Sequence, residues 1–309
     1  MTQANDWNTQ QEKGSFFLLK LTVWLYRHLG HYVFTLILNI IIFWYWLFSP
    51  KTRRVSLEYL QRVAQYNPQL FATKPNIWHS YVHLRQFGIA ILDKIDAWLG
   101  QTTEHDLQLF GHEHIRQYYG KGAVIMVSHF GNIELLRAIK SDHHQQVNVL
   151  VYNQHAEQFN VFLQSINPKA GVRLISVAEL GIETAMVLQQ RLDAGEWIII
   201  AVDRVPIHST RQQAIDFLGE PAYFPEGAWW LAHLLQAPVI AVFCYRAMQQ
   251  QQQTFQLHIH PLSEKFQLPR QQRQQVLQQY MSQYVQLLEQ HCLNAPYQWF
   301  NFFDFWIKK

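Results

Sequence analysis

The chain has 309 residues, with 25 Lys and Arg against 22 Asp and Glu and a net charge of +3. That length allows one large domain or two small ones, with ample apolar content for a core. Basic residues are scattered apart from Lys51-Thr-Arg53-Arg54, which excludes a nucleic-acid partner. The two cysteines, Cys244 in an apolar run and Cys292 in a late helical one, read as reduced thiols of a cytoplasmic compartment rather than a disulfide.

The first fifteen residues are mostly polar, and the apolar stretch after them lacks a small-residue cleavage site, so no cleavable signal peptide is expected. Phe16 to Tyr26 is apolar but carries Lys20 and is followed by Arg27, as suits an interfacial segment. Tyr32 to Phe48 then runs without a charge. As a helix it would be about 25 Å long, a little short of the ~30 Å hydrocarbon core of a bilayer. Trp44, Tyr45 and Trp46 form an aromatic belt at its end, ahead of Lys51, Arg53 and Arg54. A membrane anchor over residues 1–54 is therefore expected, with the remaining domain, 55–309, facing the cytoplasm. A buried core helix is the competing reading of the same segment.

Val55 to Leu99 carries helical periodicity and is read as two helices. A short strand at 106–111 and a helix at 112–119 follow. Strands are then expected at 122–128, 147–152, 172–176 and 196–202, with helices at 132–141, 155–165 and 179–193 between them. An irregular stretch leads to a helix at 225–236, strands at 238–244 and 254–260, and a final helix at 269–291. The Gln run 249–253 reads as a hairpin loop between those last two strands. Alternating strands and helices predict an α/β fold with a largely parallel central sheet flanked by helices.

The chemistry concentrates in Val124-Ile-Met-Val-Ser-His129-Phe-Gly-Asn132-Ile-Glu134. A buried strand ends here, Phe130-Gly131-Asn132 turns the chain, and a helix begins with Glu134 in its first turn. His129 at the strand's carboxyl end, with a carboxylate one turn on, suits a base held by an orienting acid. Such a pair could deprotonate a hydroxyl for attack on an acyl carbonyl without a nucleophile from the protein. Strand ends next to helix N-termini are also where open α/β sheets bind ligands.

Asp203 and Arg204 follow another apolar run, Ile198-Ile-Ile-Ala-Val-Asp203. Arg204 could pair with a phosphate bidentately, and Asp203 is expected to orient a neighbour rather than react. Asn132 could polarise a carbonyl or simply cap the turn. Glu226 follows Pro225 at a helix start, where the dipole favours an acid whether or not it binds anything. Arg246, beyond the strand 238–244, is a second candidate anion contact. His112, His114, His143 and His144 lack metal-ligand spacing, and there is no H-E-x-x-H, C-x-x-C, Walker A, G-x-G-x-x-G or G-x-S-x-G pattern. Neither a metal nor a bound cofactor is expected.

Taken with the block Phe224-Pro225-Glu226-Gly227-Ala228 through Pro238-Val239-Ile240, these motifs give the chain a resemblance. It resembles the bacterial lipid A secondary (lauroyl/myristoyl) acyltransferases of the lysophospholipid acyltransferase superfamily. The resemblance implies a glycerolipid-acyltransferase-like fold at the inner membrane, with His129 as general base and Glu134 as its acid. It further implies an acyl group passed from acyl carrier protein, or coenzyme A, to a lipid or glycolipid hydroxyl. The chain departs from that family at its end. A basic W-x-H-R-R-F-K-type segment is replaced by Trp299-Phe-Asn301-Phe-Phe-Asp304. That departure resembles the branch associated with aryl polyene lipid biosynthesis. A thioesterase using the same dyad on water, and a membrane-tethered scaffold without activity, are the alternatives.

Overall fold

The computed structural model describes residues 16–136, 145–151, 156–167, 172–176, 182–205, 211–249 and 252–306. The sheet has seven strands in the order β1-β9-β8-β2-β5-β3-β4. These are β1 (Leu107–Phe110), β2 (Ala123–Val127), β3 (Val147–Val151), β4 (Val172–Ser176), β5 (Trp197–Ala201), β8 (Val239–Gln249) and β9 (Gln252–Ser263). All neighbours run parallel except the β8–β9 hairpin. The two strands pair as far as Gln249 and Gln252, so 249, 252 and 253 of the Gln run expected as a loop are strand, while 250–251 lie outside the described residues. Every residue of β2 is buried, as expected of a central parallel strand covered on both faces.

Helices cover both faces. On one side α2 (Pro50–Tyr66), α7 (Gly227–Leu235) and α8 (Arg273–Asn294) pack on Val124, Met126, Ile198 and Ile200. On the other, α4 (His112–Arg116), the end of α3 (Ile77–Leu99) and Leu135–Leu136 pack on Ile125, Val127 and Ile199. The alternating destinations of successive strand residues follow from the period-2 geometry of a strand. Helices α5 (Ala156–Ile166) and α6 (Ile182–Asp193) complete the alternation expected from the sequence.

Two elements depart from the sequence reading. The stretch expected to be irregular holds a two-stranded antiparallel hairpin, β6 (Gln212–Phe217) and β7 (Glu220–Pro225). It turns through Leu218 and Gly219, both at positive φ. The helix expected at 132–141 begins as a 3-10 turn at 133–136, and its remainder lies outside the described residues, as do His143 and His144.

Helix α1 (Phe16–Phe48) breaks at Gly30, whose φ of 76° and ψ of 168° separate two helical halves. Its inner edge, Val23, Tyr26, Ile42 and Trp46, packs on α3 and α5. Much of its outer surface is apolar and exposed, including Trp24, Tyr32, Leu36, Ile40, Ile41, Trp44 and Phe48. Leu21–Phe48 is long and apolar enough to cross a bilayer, and only 11% of its most apolar window is buried. A core helix of a soluble protein would bury that surface, and a soluble surface rarely carries so large a contiguous apolar patch. Arg53 closes the end of the helix by donating from Nη1 to the carbonyls of Trp46 and Leu47, at 3.0 and 2.7 Å, where a cation also complements the dipole.

Candidate active site

The site follows from strand register. β2 and β5 are parallel neighbours with Val127 opposite Ala201, and Val202 N–H still bonds to Val127 O at 2.9 Å. Two residues further, the chains place His129 opposite Asp203. His129 Nδ1 lies 2.8 Å from Asp203 Oδ1, and the His129 amide donates to Asp203 Oδ2 at 2.8 Å. A carboxylate only accepts, so Nδ1 carries the proton and Nε2 keeps the lone pair. The imidazole is 37% exposed while the Asp203 side chain is 1% exposed. A partly exposed imidazole is thus backed by a dry carboxylate.

Burial alone would raise the pKa of Asp203. The charge of His129, hydrogen bonds from its ring and amide, and the charge of Arg204 outweigh it and bring the value down to about 2. Asp203 is therefore ionised near neutral pH. The indole of Trp299 donates to Oδ2 at 3.1 Å, fixing the carboxylate further.

The sequence pointed to Glu134 as the orienting acid; among the described residues, the carboxylate found at His129 Nδ1 is that of Asp203. Chain proximity suggested Glu134, but a side chain one turn along the same segment competes with one held opposite by sheet register. Glu134 is half-buried in the 3-10 turn, and its amide bonds to Asn132 Oδ1 at 3.2 Å. Asp203 thus orients a neighbour, as expected.

The turn between His129 and Glu134 is pinned on both sides. Gly131 N–H donates to Gln298 O and Asn132 N–H to Cys244 O, each at 2.7 Å. Gly131 has a φ of +61°, and a Cβ there would collide with the carbonyl of Cys244. Only glycine fits that approach. Asn132, 4% exposed, caps the turn through Oδ1, while its buried Nδ2 has no hydrogen-bond partner among the described residues.

The C-terminal segment, whose importance the sequence showed only as a kept Trp, walls the site. Phe300 N–H donates to His129 O at 2.7 Å, and Phe130 bridges to Trp299. His83 on α3 bonds through Nε2 to Trp299 O at 2.8 Å and through Nδ1 to Ser56 Oγ at 2.9 Å. Trp306 Nε1 bonds to Phe217 O at 3.0 Å, tying the segment to the β6–β7 hairpin. Phe302 packs with Ile42 and Trp46 of α1, so the apolar helix and His129 are linked through one short stretch of chain.

The remaining candidates divide. Arg204 sits beside the site, giving Nη2 to Phe300 O at 3.2 Å and lying over the Phe303 ring, with its pKa lowered by burial. Arg246 is engaged by Asp93 of α3 through both Nε and Nη2 and lies over Phe255. Glu226 serves the fold, accepting from Trp230 Nε1 at 3.1 Å and Gln274 Nε2 at 3.2 Å at the start of α7. Asp304 is held by Arg54 at 3.0 Å with its side chain 10% exposed, so its charge is matched rather than presented to a ligand.

Two comparisons accompany this geometry. The family model for bacterial lipid A biosynthesis acyltransferases matches residues 16–308. No curated protein matches the chain.

Proposed function

Since the chain belongs to the bacterial lipid A biosynthesis acyltransferase family, and is thereby an acyltransferase with a lipid acceptor and an acyl donor, we propose that His129 is its general base. The observation that carries this reading is the 2.8 Å bond from His129 Nδ1 to the buried, ionised Asp203. Nε2 removes the proton from an acceptor hydroxyl as its oxygen attacks the carbonyl of an acyl thioester. The tetrahedral intermediate collapses, the C–S bond breaks, and the thiolate recovers the proton from Nε2. Products are an acyl ester and a free thiol. Asp203 holds the tautomer and stabilises the transient imidazolium. Asn132 Nδ2, buried without an acceptor among the described residues, is the proposed donor to the oxyanion, and Glu134 is a second acid proposed for the site.

The donor in this reading is acyl carrier protein, with coenzyme A second. No metal or cofactor enters the scheme. The acceptor is a lipid reached from the inner membrane, with α1 as anchor and the domain on the cytoplasmic side. The exposed apolar face of α1, and Phe302 seated between it and the site, support a substrate delivered from the bilayer surface. Arg54, Arg204 and Arg246 are each engaged by a carboxylate or a carbonyl of the protein. That balance favours an acceptor less anionic than a lipid A precursor, such as the intermediates of aryl polyene lipids.

The test is transfer from acyl carrier protein by the purified, detergent-solubilised chain, read by mass spectrometry. Wild type should yield acylated lipid and His129→Ala none, with the fold retained. Near-normal turnover by His129→Ala would overturn the assignment, and free fatty acid without acylated lipid would mark a hydrolase. Exclusive use of lipid A precursors would overturn the choice of acceptor alone.

A further inference from the structure

Beneath the turn that carries His129, three other histidines converge. His258 and His260 alternate onto one face of β9, two residues apart, and α8 brings His291 against them from above. One ring nitrogen from each lies within 4.8 Å of the other two. His260 Nε2 and His291 Nε2 stand 3.2 Å apart, so at most one proton can serve both. His291 is 4% exposed, its ring is packed among Phe130, Phe243 and Tyr245, and its Nδ1 has no hydrogen-bond partner among the described residues.

A metal ion held by the converging ring nitrogens accounts for their approach. Zinc binds imidazole nitrogen at about 2.1 Å, and tetrahedral geometry then sets two ligand nitrogens about 3.4 Å apart, close to the separation of His260 and His291. We propose that His258, His260 and His291 form a zinc site, with three imidazole nitrogens and one water molecule as ligands. His258 and His260 are partly exposed, which gives the ion a path in and leaves their rings room to close around it. Nitrogen ligands of this kind suit zinc far better than calcium or magnesium.

The site would act on position rather than chemistry. Phe130, the residue after the proposed base, packs against His291 with ring centroids 6.0 Å apart. A metal between α8 and β9 would clamp the floor on which the His129 turn rests.

Metal binding is tested on the full-length protein in detergent, stripped with a chelator and titrated with Zn2+ or Co2+, so that no acyl transfer needs to be measured. We expect one zinc per chain by elemental analysis, a visible ligand-field band of four-coordinate Co2+, and a Tm that rises with zinc concentration. His258→Gln and His260→Gln, at partly exposed positions, should each lose the band and the Tm response while keeping the native circular dichroism of the chain. Absence of stoichiometric zinc in wild type, or binding that survives in both variants, would overturn the proposal.

Discussion

Trp299 donates its indole N–H to Asp203 Oδ2, the same oxygen that accepts the amide of His129. A residue near the end of the chain thus fixes a carboxylate just beyond β5, which in turn fixes an imidazole just beyond β2. Fully buried Trp299 is held from its other side by His83, and its ring packs edge-on to Tyr59, Phe217 and Phe305. The last residues of the chain are therefore part of the site's support.

Trp299→Phe should keep most of the packing and lose the bond to Asp203. Stability should fall by about 2 kcal/mol from the lost bond and residual cavity. Acyl transfer should fall by about tenfold, with the pH–rate profile displaced because Asp203 has lost a donor. Denaturant titration and initial rates across pH would check both; an unchanged profile would separate Trp299 from the dyad.

Arg246 is expected to hold the fold rather than the substrate. Its partner Asp93 is 4% exposed, and burial raises the carboxyl's pKa against the pull of Arg246. Arg246→Met would strand that acid, at a cost of roughly 3–5 kcal/mol. Equilibrium unfolding should show this loss, whereas KM for the acyl donor should stay near wild type in whatever fraction remains folded.

Acid should destabilise the protein well before Asp203 titrates. His83 is fully buried, and burial lowers its pKa from 6.5 to about 4 despite the bond to the Trp299 carbonyl. Its folded value lies below its unfolded one, so its stabilising share is complete above about pH 6.5 and disappears as pH falls towards 4. Tm measured across that window should decline, and His83→Gln should flatten the decline at the expense of a lower plateau. Asp203, with a folded value of about 2 against 3.8, withdraws its own share only below about pH 4.

The reading of α1 as an anchor predicts that full-length protein stays in membranes washed with alkaline carbonate. Replacing Leu36, Ile40 and Ile41, all exposed, with Asp should release it without disturbing the inner edge that packs on α3. Release of the unaltered chain by carbonate would instead make α1 a peripheral helix.

Much of this architecture was legible in the sequence because its strands are short apolar runs bounded by turn residues. The unbroken Ala123–Val127 marked a buried central strand, and β3, β4, β5, β8 and β9 fell where periodicity put them. The β6–β7 hairpin was hidden because Gln212–Phe217 mixes polar and apolar residues and its turn sits at Leu218-Gly219 without a strong signal. His129 was found because a strand-end histidine before a glycine turn is a local pattern. Asp203 was named as a residue that orients a neighbour, but its pairing with His129 was not, since the bond spans 74 positions and arises from sheet register. The apolar runs before His129 and Asp203 do end at matching offsets, and that was the available clue. Arg246 and Glu226 were singled out because a charge beside a strand end or helix start looks alike whether it meets a ligand or another side chain. The His258-Ile-His260 alternation was visible on its own, but its third member lies 31 residues further on in another element.

The most direct measurement compares Asp203→Asn with Glu134→Gln in the rate of acyl transfer from acyl carrier protein. Asparagine keeps the shape at Asp203 but offers a donor where a proton must be accepted, so it should turn the imidazole to the wrong tautomer. Asp203→Asn should lose roughly two to four orders of magnitude in kcat with the fold intact, and Glu134→Gln should lose less. If Asp203→Asn turns over at a near wild-type rate while Glu134→Gln is dead, the base is oriented from within its own turn, and the pairing of His129 with Asp203 is not the catalytic one.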